Sequence, residues 1–229
     1  MATLCLTTAL VLPCRAAPPD ETPAGRASAN LDASASASPD PATLVAGLER
    51  DAPARTAYTE LRFSRMLDRP LILRGELEYL GPGKLGKRVD TPYHEQTTVA
   101  DGEAIVQRGK RAPRHISLRQ APELDGFLRG FAALLGGDAQ TLAQDFTLSA
   151  SGDESAWQLR MVPRDRQLAR RIEAIEVDGA GTSARCFRTS EADGDVSVLL
   201  VEDLAGVTLP ARPLPAAIAT LCRGGKAAQ

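Results

Sequence analysis

The chain has 229 residues, of which 43% are hydrophobic and 24% charged, a composition that supports a packed core. Its 27 basic and 29 acidic residues leave a formal charge of -2, which gives no global reason to expect nucleic-acid binding. Aromatic residues make up only 4%, so the core has to be largely aliphatic.

Residues 1–17, MATLCLTTALVLPCRAA, read as a secretory signal peptide. An apolar run from Ala2 to Leu12 is followed by Pro13 and by small residues at Ala16 and Ala17, where cleavage is expected. The run is well short of the roughly 20 residues that cross a bilayer as a helix. The first basic residue, Arg15, follows it rather than preceding it. Residues 18–38 are Ala, Ser, Pro and acidic residues, too polar to offset the entropy of ordering, and read as a disordered linker. Signal cleavage removes Cys5 and Cys14 and leaves Cys186 and Cys222. In an exported protein these are either a disulfide or two buried thiols, and the oxidising compartment favours the disulfide.

The folded domain is expected over 39–203. Asp40 suits a helix cap and Pro41 a first helical turn, with Leu44, Val45 and Leu48 forming its apolar stripe. Strands follow. Thr59, Leu61 and Phe63 share one face of the first. Leu71, Leu73, Leu77 and Tyr79 share one face of the second, whose other face carries Arg74, Glu76 and Glu78. A period of two with one wet face is the pattern of an antiparallel sheet. The second strand stops at Gly81-Pro82-Gly83, a turn. Further strands fit 93–100, 103–107 and 114–119, with Asp101-Gly102 as a hairpin signal. From Pro122 the period becomes 3.6. Leu124, Phe127, Leu128, Phe131, Leu134 and Leu135 make a helix stripe that Gly136-Gly137 ends. Strands resume at 144–151, 155–162, 171–178, 183–190 and 195–202. Residues 204–229 form a C-terminal segment with a short helix near Pro215–Cys222.

About ten antiparallel strands and two substantial helices cannot cover both faces of a flat sheet. The expected architecture is α+β: a strongly curved antiparallel sheet, an incomplete β-barrel, with helices covering its concave side. Leu61, Phe63, Leu73, Leu77 and Tyr79 from the strands are expected to face Phe127, Phe131 and Trp157 across that space. Those residues would either line a pocket or pack as a solid core.

The chemical motifs argue mostly by exclusion. GPGKLGKR (81–88) approaches a phosphate-binding loop, but Arg88 stands where Ser or Thr is needed and no helix follows. His94-Glu95-Gln96-Thr97-Thr98 lacks the second His of a zinc-protease motif. There is no G-x-S-x-G elbow. Neither a catalytic site, a metal site nor a cofactor is expected, and the chain does not read as an enzyme. Lys84, Lys87, Arg88, Arg108, Lys110, Arg111, Arg114 and Arg119 form a basic stretch. It suits an acidic partner or anionic head groups, or a solvated sheet edge that discourages pairing.

The order of these elements resembles the LolA-like family of periplasmic outer-membrane lipoprotein carriers. The resemblance rests on Phe63, Pro70-Leu71, Gly75-x-Leu77-x-Tyr79, Pro82, Leu85, Pro92 and Asp101-Gly102, and spans about residues 41–203. It implies a half-open barrel with a helical lid over an acyl-chain cavity. It also implies a periplasmic location and transfer of lipoproteins from an inner-membrane exporter to an outer-membrane acceptor. Two features depart from the family pattern. Gly81 stands where its carriers place an Arg that helps hold the lid shut, and the cavity has few aromatics. Relatives associated with lipid-like products such as aryl polyenes are the nearer comparison. The expected function is a monomeric carrier of a lipid or acylated ligand. The alternative is a lipid-sensing or scaffold module of the same fold that regulates a partner protein.

Overall fold

The structure, a computed structural model, describes residues 38–225. The segments expected to be a signal peptide (1–17) and a linker (18–38) lie outside the described residues, save residue 38. The first helix, α1 (Pro41–Gly47), begins where the sequence places it: the Asp40 carboxylate accepts from the Thr43 backbone N–H at 2.8 Å.

Six strands follow in succession: β1 (Ala54–Phe63), β2 (Leu71–Gly81), β3 (Lys84–Thr91), β4 (Glu95–Ala100), β5 (Glu103–Arg108) and β6 (Arg114–Ser117). After a 3-10 turn at Leu118–Gln120 come α2 (Pro122–Leu135) and α3 (Ala139–Asp145). Five more strands complete the sheet: β7 (Phe146–Asp153), β8 (Ala156–Pro163), β9 (Ile172–Ala180), β10 (Ser183–Glu191) and β11 (Val196–Val201). The short helix α4 (Arg166–Ala169) lies between β8 and β9, and α5 (Pro215–Cys222) comes near the end.

The eleven strands form one antiparallel sheet in the order β6-β5-β4-β3-β2-β1-β11-β10-β9-β8-β7. The sequence reading counts ten. The eleventh is β3, where a basic run masks the alternation of Leu85, Lys87 and Val89. GPGKLGKR is therefore a hairpin: β2 ends at Gly81 and β3 starts at Lys84. Gly81 has φ +118, a region that L side chains rarely adopt.

The sheet is two meanders, β1–β6 and β7–β11, that meet where β1 pairs with β11. This order places the helices. β6 and β7 are consecutive in the chain but lie at opposite edges of the sheet, so the connection has to cross it. α2 and α3 are that crossing. They pack on the face that carries Tyr58, Leu159, Val177 and Phe187. Arg129 on α2 ties the two helices together, donating from Nε and Nη2 to the Asp145 carboxylate at 2.9 and 2.8 Å.

The other face is also covered. Leu61, Cys186, Val198 and Leu200 pack there against Leu204, Ile218 and Leu221 of the C-terminal segment, with Phe63 beside them. Thr59 Oγ1 donates to the Ala205 carbonyl at 2.6 Å. A disulfide joins Cys186 on β10 to Cys222 at the end of α5, with Cα atoms 5.6 Å apart. The segment after β11 is thus a second cover for the sheet rather than a tail.

Candidate functional site: an apolar cavity with a charged end

Between α2 and the inner face of the sheet lies a cavity of about 930 Å³. All six stripe residues of α2, Leu124 to Leu135, line it. Phe131 holds the middle of this roof. Its ring centroid is 6.5 Å from that of Phe127 and 5.3 Å from that of Phe187 on β10. On the floor, Leu77 and Tyr79 of β2, Leu85 of β3 and Val99 of β4 continue the apolar wall.

The wall changes character along the strands. The inward side chains of β1 run Ala54, Thr56, Tyr58, Glu60, Arg62. Antiparallel β11 sets Val201 beside Tyr58, Leu199 beside Glu60 and Ser197 beside Arg62. On β10, Phe187 lies beside Leu199 and Thr189 beside Ser197, with Glu191 beyond. Three adjacent strands therefore turn from apolar to polar toward the same end. Arg62, Glu191 and Asp193 line that end and are exposed, so it reaches solvent.

Glu60 organises this end. It is only 5% exposed, yet a carboxylate buried without partners would be costly. It has three. Lys87 Nζ on β3 donates to Oε2 at 2.5 Å. Arg62 Nε and Ser197 Oγ donate to Oε1 at 2.7 and 3.0 Å. Burial alone would raise its pKa. The charges and hydrogen bonds of Lys87 and Arg62 outweigh that and hold the carboxyl below its usual value. Lys87 also sits 5.1 Å from the Tyr58 ring centroid, a cation–π contact. Burial, chiefly, raises the Tyr58 pKa, so the phenol stays neutral; among the described residues its hydroxyl has no hydrogen-bond partner.

Of the eight residues singled out from sequence, Leu77, Tyr79, Phe127 and Phe131 line this cavity. Leu73 and Trp157 do not. Leu73 is fully buried in the packed core beside it. Trp157 lies flat over Gly179, where any Cβ would come within 2.2 Å of the indole, and donates from Nε1 to the Gly181 carbonyl at 2.8 Å. Leu61 and Phe63 belong to the opposite face, under the C-terminal segment. Their assignment to the cavity is corrected here. They do form the apolar face of β1, but a second cover buries that face, and the charged face lines the cavity.

The charged end is what sequence reasoning missed. Tyr58, Glu60 and Arg62 alternate as cleanly as Thr59, Leu61 and Phe63, so the signal was there in the wrong polarity. Lys87 belongs to the basic stretch, which does not form a single patch. Lys87 turns inward. Arg88 pairs with Asp90 and Glu76, and Arg108 pairs with Glu95 while its guanidinium stacks 3.8 Å from the Tyr93 ring centroid. Among the described residues, no three His, Cys, Asp or Glu side chains are grouped to hold a metal.

The sequence matches the family described as outer membrane lipoprotein carrier protein LolA-like, over residues 33–225. The chain belongs to this family. The match takes in the C-terminal segment as well as the sheet. Three solved structures are similar at low identity. A LolA superfamily protein from Nitrosomonas europaea is 10% identical, over 74% of this chain and 93% of its own, with a TM-score of 0.41. A DUF1329 family protein from Desulfovibrio piger is 10% identical over 75% and 92%, with a TM-score of 0.42. An outer membrane lipoprotein-sorting protein domain from Vibrio parahaemolyticus is 11% identical over 73% and 92%, with a TM-score of 0.40. A comparison with curated protein sequences gave no match. Among the described residues, no helix is long and apolar enough to cross a membrane.

Proposed function

We propose that this LolA-like protein is a periplasmic carrier that takes a lipid-like or acylated ligand into the cavity under α2 and carries it toward the outer membrane. The observation that supports this most is the cavity itself. Its 930 Å³ lies at the upper end of the roughly 300–1,000 Å³ typical of ligand pockets, and its roof and half its floor are aliphatic or aromatic. Apolar walls without an occupant forgo dispersion contacts. A chain of about 16 carbons entering it would gain roughly 0.8 kcal/mol per buried CH₂, or about 13 kcal/mol before ordering and association costs. The remainder fits binding that is firm but reversible, as a carrier requires. An inner-membrane exporter would supply the ligand and an outer-membrane acceptor would receive it.

The test is a carboxylate placed in the roof. Phe127→Asp is expected to leave the protein folded, because Phe127 is only half-buried. Its affinity for a long-chain alkyl fluorophore should fall at least about tenfold, or about 1.4 kcal/mol. Leu77→Asp should lose less. Leu77 sits directly across from Lys87 in the β2–β3 register, so the new carboxylate gains a cation. A folded Phe127→Asp variant with full affinity would remove the cavity from the function.

A further inference from the structure

We infer that the ligand is an amphiphile with an anionic head group, held tail-first, and that Arg62 and Lys87 bind the head. This rests on the carrier reading and adds to it the chemistry of the cargo.

A cavity meant only for hydrocarbon would gain nothing from charges in its wall. This one sets a bonded cluster of them, Lys87, Glu60 and Arg62, into its wall. β1, β11 and β10 each pass from apolar to polar in the same direction, to Arg62, Ser197 and Glu191. A ligand matching that gradient has a tail along Leu77, Tyr79, Leu85 and Val99 and a head near Glu60 and Arg62.

The sign of the head follows from the local charges. Lys87 and Arg62 close on one carboxylate, Glu60, so this cluster keeps one positive charge on the cavity wall. Glu191 and Asp193 stand farther out, at the exposed rim. Glu60 does not cancel the site. It fixes it. Lys87 has three N–H donors and Glu60 takes one of them; Arg62 gives Glu60 only its Nε. The carboxylate thus sets two cations side by side on the cavity wall, Lys87 30% and Arg62 47% exposed at the side chain. Two cations so close would repel each other in a weakly polar cavity, and Glu60 lets them be held there before a ligand arrives. A carboxylate or phosphate head would then find preorganised donors.

The experiment measures equilibrium binding of hexadecanoate, hexadecyl lysophosphatidate and hexadecanol to the purified mature protein. The anionic ligands are expected to bind at least about tenfold more tightly than the alcohol, with the gap narrowing as salt is raised. The tighter of the two anions tells whether the head is a carboxylate or a phosphate. Arg62→Gln should bring the anion-to-alcohol ratio within about threefold, and Glu60→Gln, which raises the local charge from one positive to two, should tighten the anions further. Should Glu60→Gln fail to fold, the Arg62→Gln ratio decides. If the wild type binds alcohol and anions equally, the head-group inference is wrong and the carrier reading stands. If it binds none of the three, both fall.

Discussion

The two faces of β1 are built for different work. On the inner face, Tyr58, Glu60 and Arg62 lie along a cavity, with a carboxylate held by three donors and an arginine that reaches solvent. On the outer face, Thr59 and Leu61 are buried beneath the C-terminal segment, with Phe63 partly buried beside them. On this strand the charged groups line the cavity and the hydrocarbon packs against the outer cover. One strand thus separates an open space from a packed face.

The contrast is broken most severely at Leu61. Leu61→Asp puts an unpaired carboxylate at a fully buried position among Val198, Leu200 and Ile218. A loss of about 4 kcal/mol or more is expected, enough to abolish folding in many domains. Denaturant unfolding should show this for Leu61→Asp, while Arg62→Gln, one residue along on the cavity face, should stay within about 1 kcal/mol of wild type.

Removing the disulfide attacks the same sealed face less severely. The Cys186→Ala, Cys222→Ala double variant gives up a bridge spanning 36 residues of sequence, worth roughly 3–4 kcal/mol in the chain-entropy account. The unfolding free energy from denaturant titration should drop by that much. Binding by the folded fraction should persist, since neither cysteine lines the cavity. Loss of binding at full folding would show that the two faces are coupled.

At the rim, Gly81→Arg restores the residue type that LolA-like carriers place at this turn. The positive φ of Gly81 makes the change a strain of about 1–3 kcal/mol rather than a tighter lid. Faster hydrogen exchange in β2 and β3, with no slowing in α2, is the expected readout.

The smallest effect is on pH. The carboxyl of Glu60 has its pKa depressed below the usual 4.5, so its contribution is present above that value and fades as pH falls below it toward the folded-state pKa. Asp178, on the outer face, has its pKa raised above 3.8 by burial, so its contribution is present below 3.8 and is lost as pH rises. Glu60→Gln should therefore flatten the decline in stability below pH 4.5 without shifting the Asp178 limb. Parallel acid limbs in the two proteins would show that Glu60 gains nothing from its partners.

Most of the sheet was legible because alternation survives in the sequence wherever one face is wet. The α2 stripe was legible because six apolar residues at helical spacing between Pro122 and Gly136 have few other readings. The cavity's orientation on β1 was not. Alternation tells that a strand has two kinds of face; it does not tell which one turns inward when a distant segment covers the outside. Leu61 and Phe63 were misplaced for that reason, and Glu60 and Arg62 were overlooked for the same one. Leu73 and Trp157 fail differently. They are on the correct face, but pocket and core share that face, and only the depth of packing against Val45, Leu159 and Val177 separates them.

The pairing of β1 with β11 has a consequence for how the chain is made. Synthesis delivers the N-terminal meander first. Its strands β2 to β6 find their neighbours locally, but β1 must wait for a partner encoded near the far end of the chain. Until β11 emerges, a ten-residue strand stands with one edge unpaired and Leu61 and Phe63 uncovered. In the finished protein β1 lies inside the sheet, whose edges are β6, four residues long with exposed Arg114 and His115, and β7, eight residues long. The open edge of β1 thus belongs to the newborn chain and closes with maturity, so the chain is most prone to pair with others before its last strand is made.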